Sequence, residues 1–175
     1  MASEKSLYRK IQETLETCKA VHVSSLQELR EAIESRQHHV FQTLQYDANK
    51  DAYKPGISSR VIRQTVQMCL LLGLIERDGT LTAAGRDALR KNRFDDVIGI
   101  AILAFLKEQG VKTPTLNQTI AKGLESRPPV LPTAAELWRA VDNKVPRGRF
   151  TRLLTLLSHC GHARASQKKV YLQIG

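Results

Sequence analysis

Cysteine is scarce in this 175-residue chain, and the three present, Cys18, Cys69 and Cys160, stand far apart. An odd count without framework spacing excludes a secreted disulfide scaffold. Aromatic residues make up only 5% of the chain, and no aromatic pair is expected in a strand, which counts against RNA recognition by base stacking. Long apolar runs are missing as well. The longest mostly apolar stretch, residues 97–106, is too short to cross a bilayer. Residues 1–10 are polar and carry no apolar signal core, so the expected location is cytoplasmic, with no membrane partner. No P-loop, glycine-rich phosphate cradle or nucleophile elbow occurs. His159-Cys160-x-His162 has no second cluster to complete four zinc ligands, and Asp95-Asp96 has no Glu-x-Lys partner of the kind a nuclease would supply. The expectation is therefore a protein that is not an enzyme, with no catalytic residue, metal site or cofactor.

What is present is a basic chain with enough apolar residues for a core. Hydrophobic residues are 42% of the total, and 27 Lys and Arg against 17 Asp and Glu give a net charge of +10. That balance favours a polyanionic partner. An internal repeat organises the sequence. Residues 61–73 read VIRQTVQMCLLLG and residues 149–161 read RFTRLLTLLSHCG. Aligned on Gly73 and Gly161, apolar residues recur at Ile62, Val66, Cys69 and Leu72, and at Phe150, Leu154, Leu157 and Cys160. This is helical spacing with one buried face and a glycine stop. Proline-glycine loops are expected before both helices, at Lys54-Pro55-Gly56 and Pro146-Arg147-Gly148. Upstream, Leu7, Ile11 and Leu15 match Val97, Ile100, Leu103 and Leu106 as the apolar faces of two earlier helices. A short extended piece and a Ser or Thr N-cap precede a second helix in each copy, near Ser25 and Thr113. Further helices are expected around residues 40–46 and 134–141, and residues 127–132 are expected to loop. A hairpin should follow each glycine: one turns at Asp78-Gly79, and the other ends in a strand with Val170, Leu172 and Ile174 on one face.

The stretch Leu70-Leu71-Leu72-Gly73-Leu74-Ile75-Glu76, then Asp78-Gly79, then Leu81-Thr82-Ala83-Ala84-Gly85-Arg86-Asp87-Ala88-Leu89 resembles the end of a winged-helix domain. Many bacterial and archaeal transcription regulators carry a recognition helix, such a strand, a wing and then an LTxxGxxxL run into a helix. The second half is similar only in pattern, with Cys160-Gly161-His162-Ala163 where the family favours apolar residues. The resemblance implies a mainly α fold with small β-hairpins (α+β): tandem winged-helix domains over residues 1–94 and 95–175, joined through a helix at 83–93.

A helix that enters the major groove needs a polar face opposite its core face. The first candidate helix offers Ser59, Arg60, Arg63, Gln64 and Gln67. The second offers Arg147, Arg149, Thr151, Arg152 and Thr155, with Lys144 before it and Arg164, Lys168 and Lys169 in its wing. From residue 143 to 175 there are seven Lys or Arg and no Asp or Glu. A one-sign segment of this kind suits phosphates. Glu28, Glu31 and Glu34 make the earlier helix acidic, a surface expected to face away from DNA or toward a partner. The expected function is sequence-specific or structure-selective binding of double-stranded DNA, as a transcription regulator or DNA-recognition subunit. The alternative is a winged-helix scaffold, with protein partners or a homodimer, inside a larger nucleoprotein or defence complex.

Overall fold

A computed structural model describes residues 6–142, 144–166 and 170–175. The chain divides into two compact units, Met1–Arg90 and Lys91–Gly175, a boundary four residues before the expected one. Among the described residues the fold is mixed α and β, with eight helices and two small antiparallel hairpins.

In the first unit, α1 (Leu7–Ala20) and α2 (Leu26–Ser35) both pack on α3 (Ser59–Leu71). Ile11 and Leu15 of α1, Leu29 and Ile33 of α2, and Ile62, Val66 and Cys69 of α3 form the core, closed by Phe41, Leu74 and Ile75. Ser25 caps α2 as expected, accepting from the Glu28 amide, while the Glu28 carboxylate accepts from the Ser24 amide at 2.8 Å. Three buried threonines satisfy their hydroxyls on the helix itself: Thr14 on Lys10 O, Thr17 on Glu13 O and Thr65 on Val61 O. Residues 77–79 form the tip of a small hairpin bridged at Ile75 and Leu81. Only Gly79 takes positive φ there, at 84°. The Gly79 amide donates to Glu76 O and the Glu76 amide to Thr80 O, so the loop has three residues instead of the expected two. The following helix α4 is short, Ala83–Ala88, and does not run on to residue 93.

The expected helix at residues 40–46 is instead a strand. A 3-10 turn at His39–Phe41 leads into β1 (Gln42–Asp47), paired antiparallel with β2 (Ala52–Ile57). The period of residues 42–57 is two, with Leu44, Tyr46, Tyr53 and Pro55 on one face and Gln45, Asp47 and Lys54 on the other. The turn is built by Asp47, whose carbonyl accepts from Lys50 N and whose carboxylate accepts from Asn49 N, and by Asp51 at φ 44°. The expected loop at residues 54–56 therefore belongs to β2.

In the second unit, α5 (Phe94–Glu108), α6 (Thr113–Glu125), α7 (Ala134–Ala140) and α8 (Arg147–His159) precede β3 (Ala163–Ala165) and β4 (Tyr171–Ile174). Phe94, Ile98, Ile102 and Phe105 are buried on α5, together with Val97 and Leu106; Ile100, expected inside, is 59% exposed. Thr113 is the first residue of α6, not its cap, because Pro114 follows at a position where its missing amide costs nothing. Residues 127–132 loop as expected. Thr133 then caps α7 through a reciprocal capping box with Glu136. Arg147 and Gly148 lie in the first turn of α8, and Pro146 precedes it in an extended conformation. Thr133 also makes an isolated antiparallel bridge with Val170, the residue before β4. A bulge between Arg164 and Ala165 shifts the register, so Tyr171 and Ile174 are buried while Leu172 is exposed. The expected inward alternation of Val170, Leu172 and Ile174 fails for that reason.

Candidate nucleic-acid interface

The repeated helices α3 and α8 end in the same way. Gly73 has φ 68°, its amide donates to Leu70 O, and the Leu74 amide donates to Cys69 O. Gly161 has φ 76°, its amide donates to Ser158 O, and the His162 amide donates to Leu157 O. Each is a Schellman cap, which turns the chain back from the helix into the hairpin behind it. All eight apolar positions aligned in the repeat are buried.

The opposite face of α3 is as expected. Ser59, Arg60, Arg63, Gln64 and Gln67 are all exposed. Ser58 caps the helix, accepting from Val61 N. On α8, Arg147, Arg152 and Thr155 are exposed and Arg149 and Thr151 half-buried; Lys144 and Arg164 are exposed. Arg152 Nε donates to Gly148 O at 3.3 Å, and the Thr155 hydroxyl donates to Thr151 O at 3.0 Å, so both side chains lie along the helix surface. Lys168 and Lys169 fall outside the described residues.

The first turns of α3 and α8 carry no acid, and α8 has no side-chain cap. Acids stand where the helix dipole favours them at the starts of α2 (Glu28), α5 (Asp95, Asp96) and α7 (Glu136). Arg147 and Arg149 sit at the end of α8 that repels cations. That arrangement costs a little stability, and among the described residues no side chain caps the first amides of α8.

The acidic edge of α2 does not face away from α3. Gln27, Arg30, Glu31 and Glu34 share a small polar cleft of about 160 Å³ with Ser59, Ile62 and Arg63. Arg63 therefore shares a cleft with two carboxylates and with Arg30, whereas the segment that holds α8 has no acid after Asp142.

No family model, curated protein or solved structure matches this chain.

The remaining chemistry-bearing residues are accounted for locally. Burial pushes the Cys18 thiol up to about 11, the Cys160 thiol up to about 12, and the Cys69 thiol higher still. Cys69 and Cys160 are protonated core groups, and Cys18 is protonated and half-buried. Burial lowers the pKa of His159, whose Nδ1 is buried with no hydrogen-bond partner. His162 Nε2 lies 3.7 Å from Asp96 Oδ1 at the start of α5. His38 and His39 stack at 4.5 Å, and His38 Nε2 is 3.7 Å from Glu13, the buried carboxylate that also takes Arg36 Nε at 2.7 Å. Among the described residues no three His, Cys, Asp or Glu gather as a metal site, and no helix is long and apolar enough to cross a membrane. Trp138 is half-buried and donates from Nε1 to Val145 O, which ties α7 to the turn before α8.

Sequence reasoning missed the projecting hairpin. Leu44, Tyr46 and Tyr53 are 71%, 56% and 69% exposed, and the two tyrosine rings meet across the strands at 5.4 Å. The alternation of Leu44 and Tyr46 with Thr43 and Gln45 was the signal that could have found it.

Proposed function

We propose that this chain binds double-stranded DNA through α3 and α8, each a recognition helix followed by a wing-like hairpin, and serves as a transcription regulator or DNA-recognition subunit. The observation that carries this reading is α8. It is preceded by α7 across a six-residue turn, followed by a hairpin, and lined with exposed Arg147, Arg152 and Thr155 in a segment without acids after Asp142. The winged-helix resemblance of residues 70–89 supports the same reading for α3. The first unit departs from a compact helix-turn-helix, because β1 and β2 lie between α2 and α3. Its α3 face also shares a cleft with Glu31 and Glu34, so the second unit supplies more of the phosphate affinity.

The test is a duplex titration at low and physiological salt. Several displaced counterions should give a steep loss of affinity with salt. Lys168→Ala with Lys169→Ala should flatten the salt slope by up to about two units on every sequence, and Arg152→Ala should cost about 1–3 kcal/mol. No binding at low salt refutes the proposal. A scaffold function is the second reading. It is favoured by exposed Ile100, which with Leu103, Ala104 and Pro114 lines an apolar hollow of about 570 Å³ edged by Lys107 and Lys112.

A further inference from the structure

The β1–β2 ribbon has no evident structural reason to expose its aromatic face. Beyond Thr43 it is solvent-exposed on both faces, apart from Asp47 and the Gly56–Ile57 end where it joins α3. Buried side chains do not require Leu44, Tyr46, Tyr53 and Pro55 to be apolar. Yet they form one continuous stripe across the register pairs Leu44–Pro55 and Tyr46–Tyr53. The tyrosines are held in place. Their rings are tilted by 58° against each other, and the Tyr46 hydroxyl donates to the Asp51 carboxylate across the turn. The base of the ribbon is fixed as well: Gln45 Nε2 donates to Ile57 O, and Ser58 N donates to Phe41 O. The platform is thus pre-organised, and its entropy of ordering is already spent in the free protein.

Two arguments identify the occupant. The first is area. Three partly exposed side chains offer on the order of 400 Å², about half of the roughly 800 Å² per partner that a standard protein interface buries. The patch suits a ligand the size of one or two nucleobases. The second is charge. The exposed face of α3 carries Arg60 and Arg63 with no acid in its first turn, while Lys54, on the other face of the ribbon, is paired with Asp47 at 3.0 Å. The strand that carries Tyr53 runs through Ser58 directly into the cationic face of α3. Tyr53 stands four residues from Ile57, about 13 Å along the ribbon, the reach of a few nucleotides.

We infer that the Tyr46–Tyr53 face of the β1–β2 hairpin stacks an unpaired base of a nucleic-acid strand whose backbone is held by Arg60 and Arg63 on α3. The inference rests on the reading that α3 faces DNA, and it sharpens that reading to a duplex that ends in, or opens into, single strand. Aromatic stacking is tolerant of base identity, so the preference is for structure and not for sequence.

The test measures fluorescence anisotropy of the full chain with a blunt DNA duplex and with the same duplex carrying a short single-stranded overhang at either end. The overhang should tighten binding about tenfold. Tyr46→Ala with Tyr53→Ala should remove that gain and leave blunt-duplex affinity unchanged, while Tyr46→Phe with Tyr53→Phe should keep it. Both tyrosines are exposed, and far-ultraviolet circular dichroism checks that each variant folds. If blunt duplex binds and the overhang adds nothing, or the gain survives the alanine pair, the inference is overturned while the duplex reading stands. If neither DNA binds at low salt, the duplex reading falls and takes the inference with it. Self-association of the parent in sedimentation, abolished in the alanine pair, would overturn the inference in favour of a second copy on this face.

Discussion

Replacing Gly85 by alanine sets helix propensity against packing, and the two predict opposite signs. Gly85 sits in the third turn position of α4 with no positive φ, so propensity alone favours alanine by up to about 1 kcal/mol. Packing forbids it. A Cβ at this position would collide with the carbonyl oxygen of Leu74 and lie 3.1 Å from Leu81 Cδ2. The carbonyl cannot retreat. Leu74 O accepts from Thr82 N at 3.1 Å, Leu74 N donates to Cys69 O at 2.9 Å, and the Leu74 side chain is fully buried. Relief requires α4 to move by about 1 Å, which strains the Thr82 N to Leu74 O bond and the 2.6 Å bond from the Thr82 hydroxyl to Gly73 O, each worth about 1 kcal/mol net. Overpacking adds about 1–3 kcal/mol. After the propensity gain is subtracted, Gly85→Ala should destabilise the first unit by about 2 kcal/mol. Urea unfolding followed by circular dichroism measures this. Ala84→Gly at the neighbouring exposed position serves as the propensity control, with an expected loss of about 1 kcal/mol. A Gly85→Ala protein as stable as the parent, or more so, would refute the close packing of α4 on the Leu74 strand and with it the physical account of the LTxxGxxxL run.

The three thiols should react slowly with Ellman's reagent in the native protein at neutral pH and rapidly in urea, because burial keeps Cys18, Cys69 and Cys160 protonated; fast native labelling of Cys69 or Cys160 would contradict their core positions. His159 has a lowered pKa in the folded state, so the second unit should lose stability as pH falls below the ordinary histidine range, and His159→Phe should blunt that loss in thermal unfolding scans between neutral and mildly acidic pH. Glu28 is held below the usual carboxylate range by the Ser24 amide and hydroxyl, so its contribution is complete above that range and lost as pH falls through the lowered value; Glu28→Gln should flatten the acid limb of a pH titration followed by circular dichroism. Glu31→Gln with Glu34→Gln should strengthen duplex binding severalfold at low salt by removing the carboxylates that share a cleft with Arg63, an effect that anisotropy should show shrinking as salt is raised.

Helix cores were the most legible part of the fold. Ile62, Val66, Cys69 and Leu72, and their partners Phe150, Leu154, Leu157 and Cys160, are buried as their spacing requires, because period 3.6 with a glycine stop admits few alternatives. The α5 face was misread at Ile100. Every third or fourth residue of that helix is apolar on more than one face, so periodicity could not select the side that Ile98 and Ile102 bury. The hairpin of the second unit departs from its expected pattern for a different reason. A bulge between Arg164 and Ala165 swaps the inward residue from Leu172 to Tyr171, and one inserted register step is invisible to strict alternation. The helix expected around residues 40–46 runs against their own period of two, which the strand β1 follows. The repeat covers the two upstream helices, α1 and α2 against α5 and α6, and the helix with its glycine cap and hairpin, and fails only in between, where β1 and β2 stand in place of α7.

Candidate site residues were legible as side-chain types on a helix face, and every described one is exposed or half-exposed. What the sequence could not convey was their company. Residues 1–94 carry 15 basic and 11 acidic side chains, net +4, and residues 95–175 carry 12 and 6, net +6, a modest contrast. The fold enlarges it. In the first unit, Glu31 and Glu34 precede Arg63 by 32 and 29 residues in sequence, yet α2 packs on α3 and brings them into its cleft. In the second unit the acids of α5 are engaged locally instead, with Asp96 facing Arg93 and His162. A phosphate approaching α3 would meet Arg60 and, at Arg63, a mixed field, so charge would grip it less strongly there than on α8. On the inference above, the exposed tyrosines of the hairpin that leads into α3 would add to that grip by stacking an unpaired base. If the proposed reading holds, the two units would divide recognition by physical mechanism, with electrostatic grip from α8 and aromatic stacking from the ribbon beside α3.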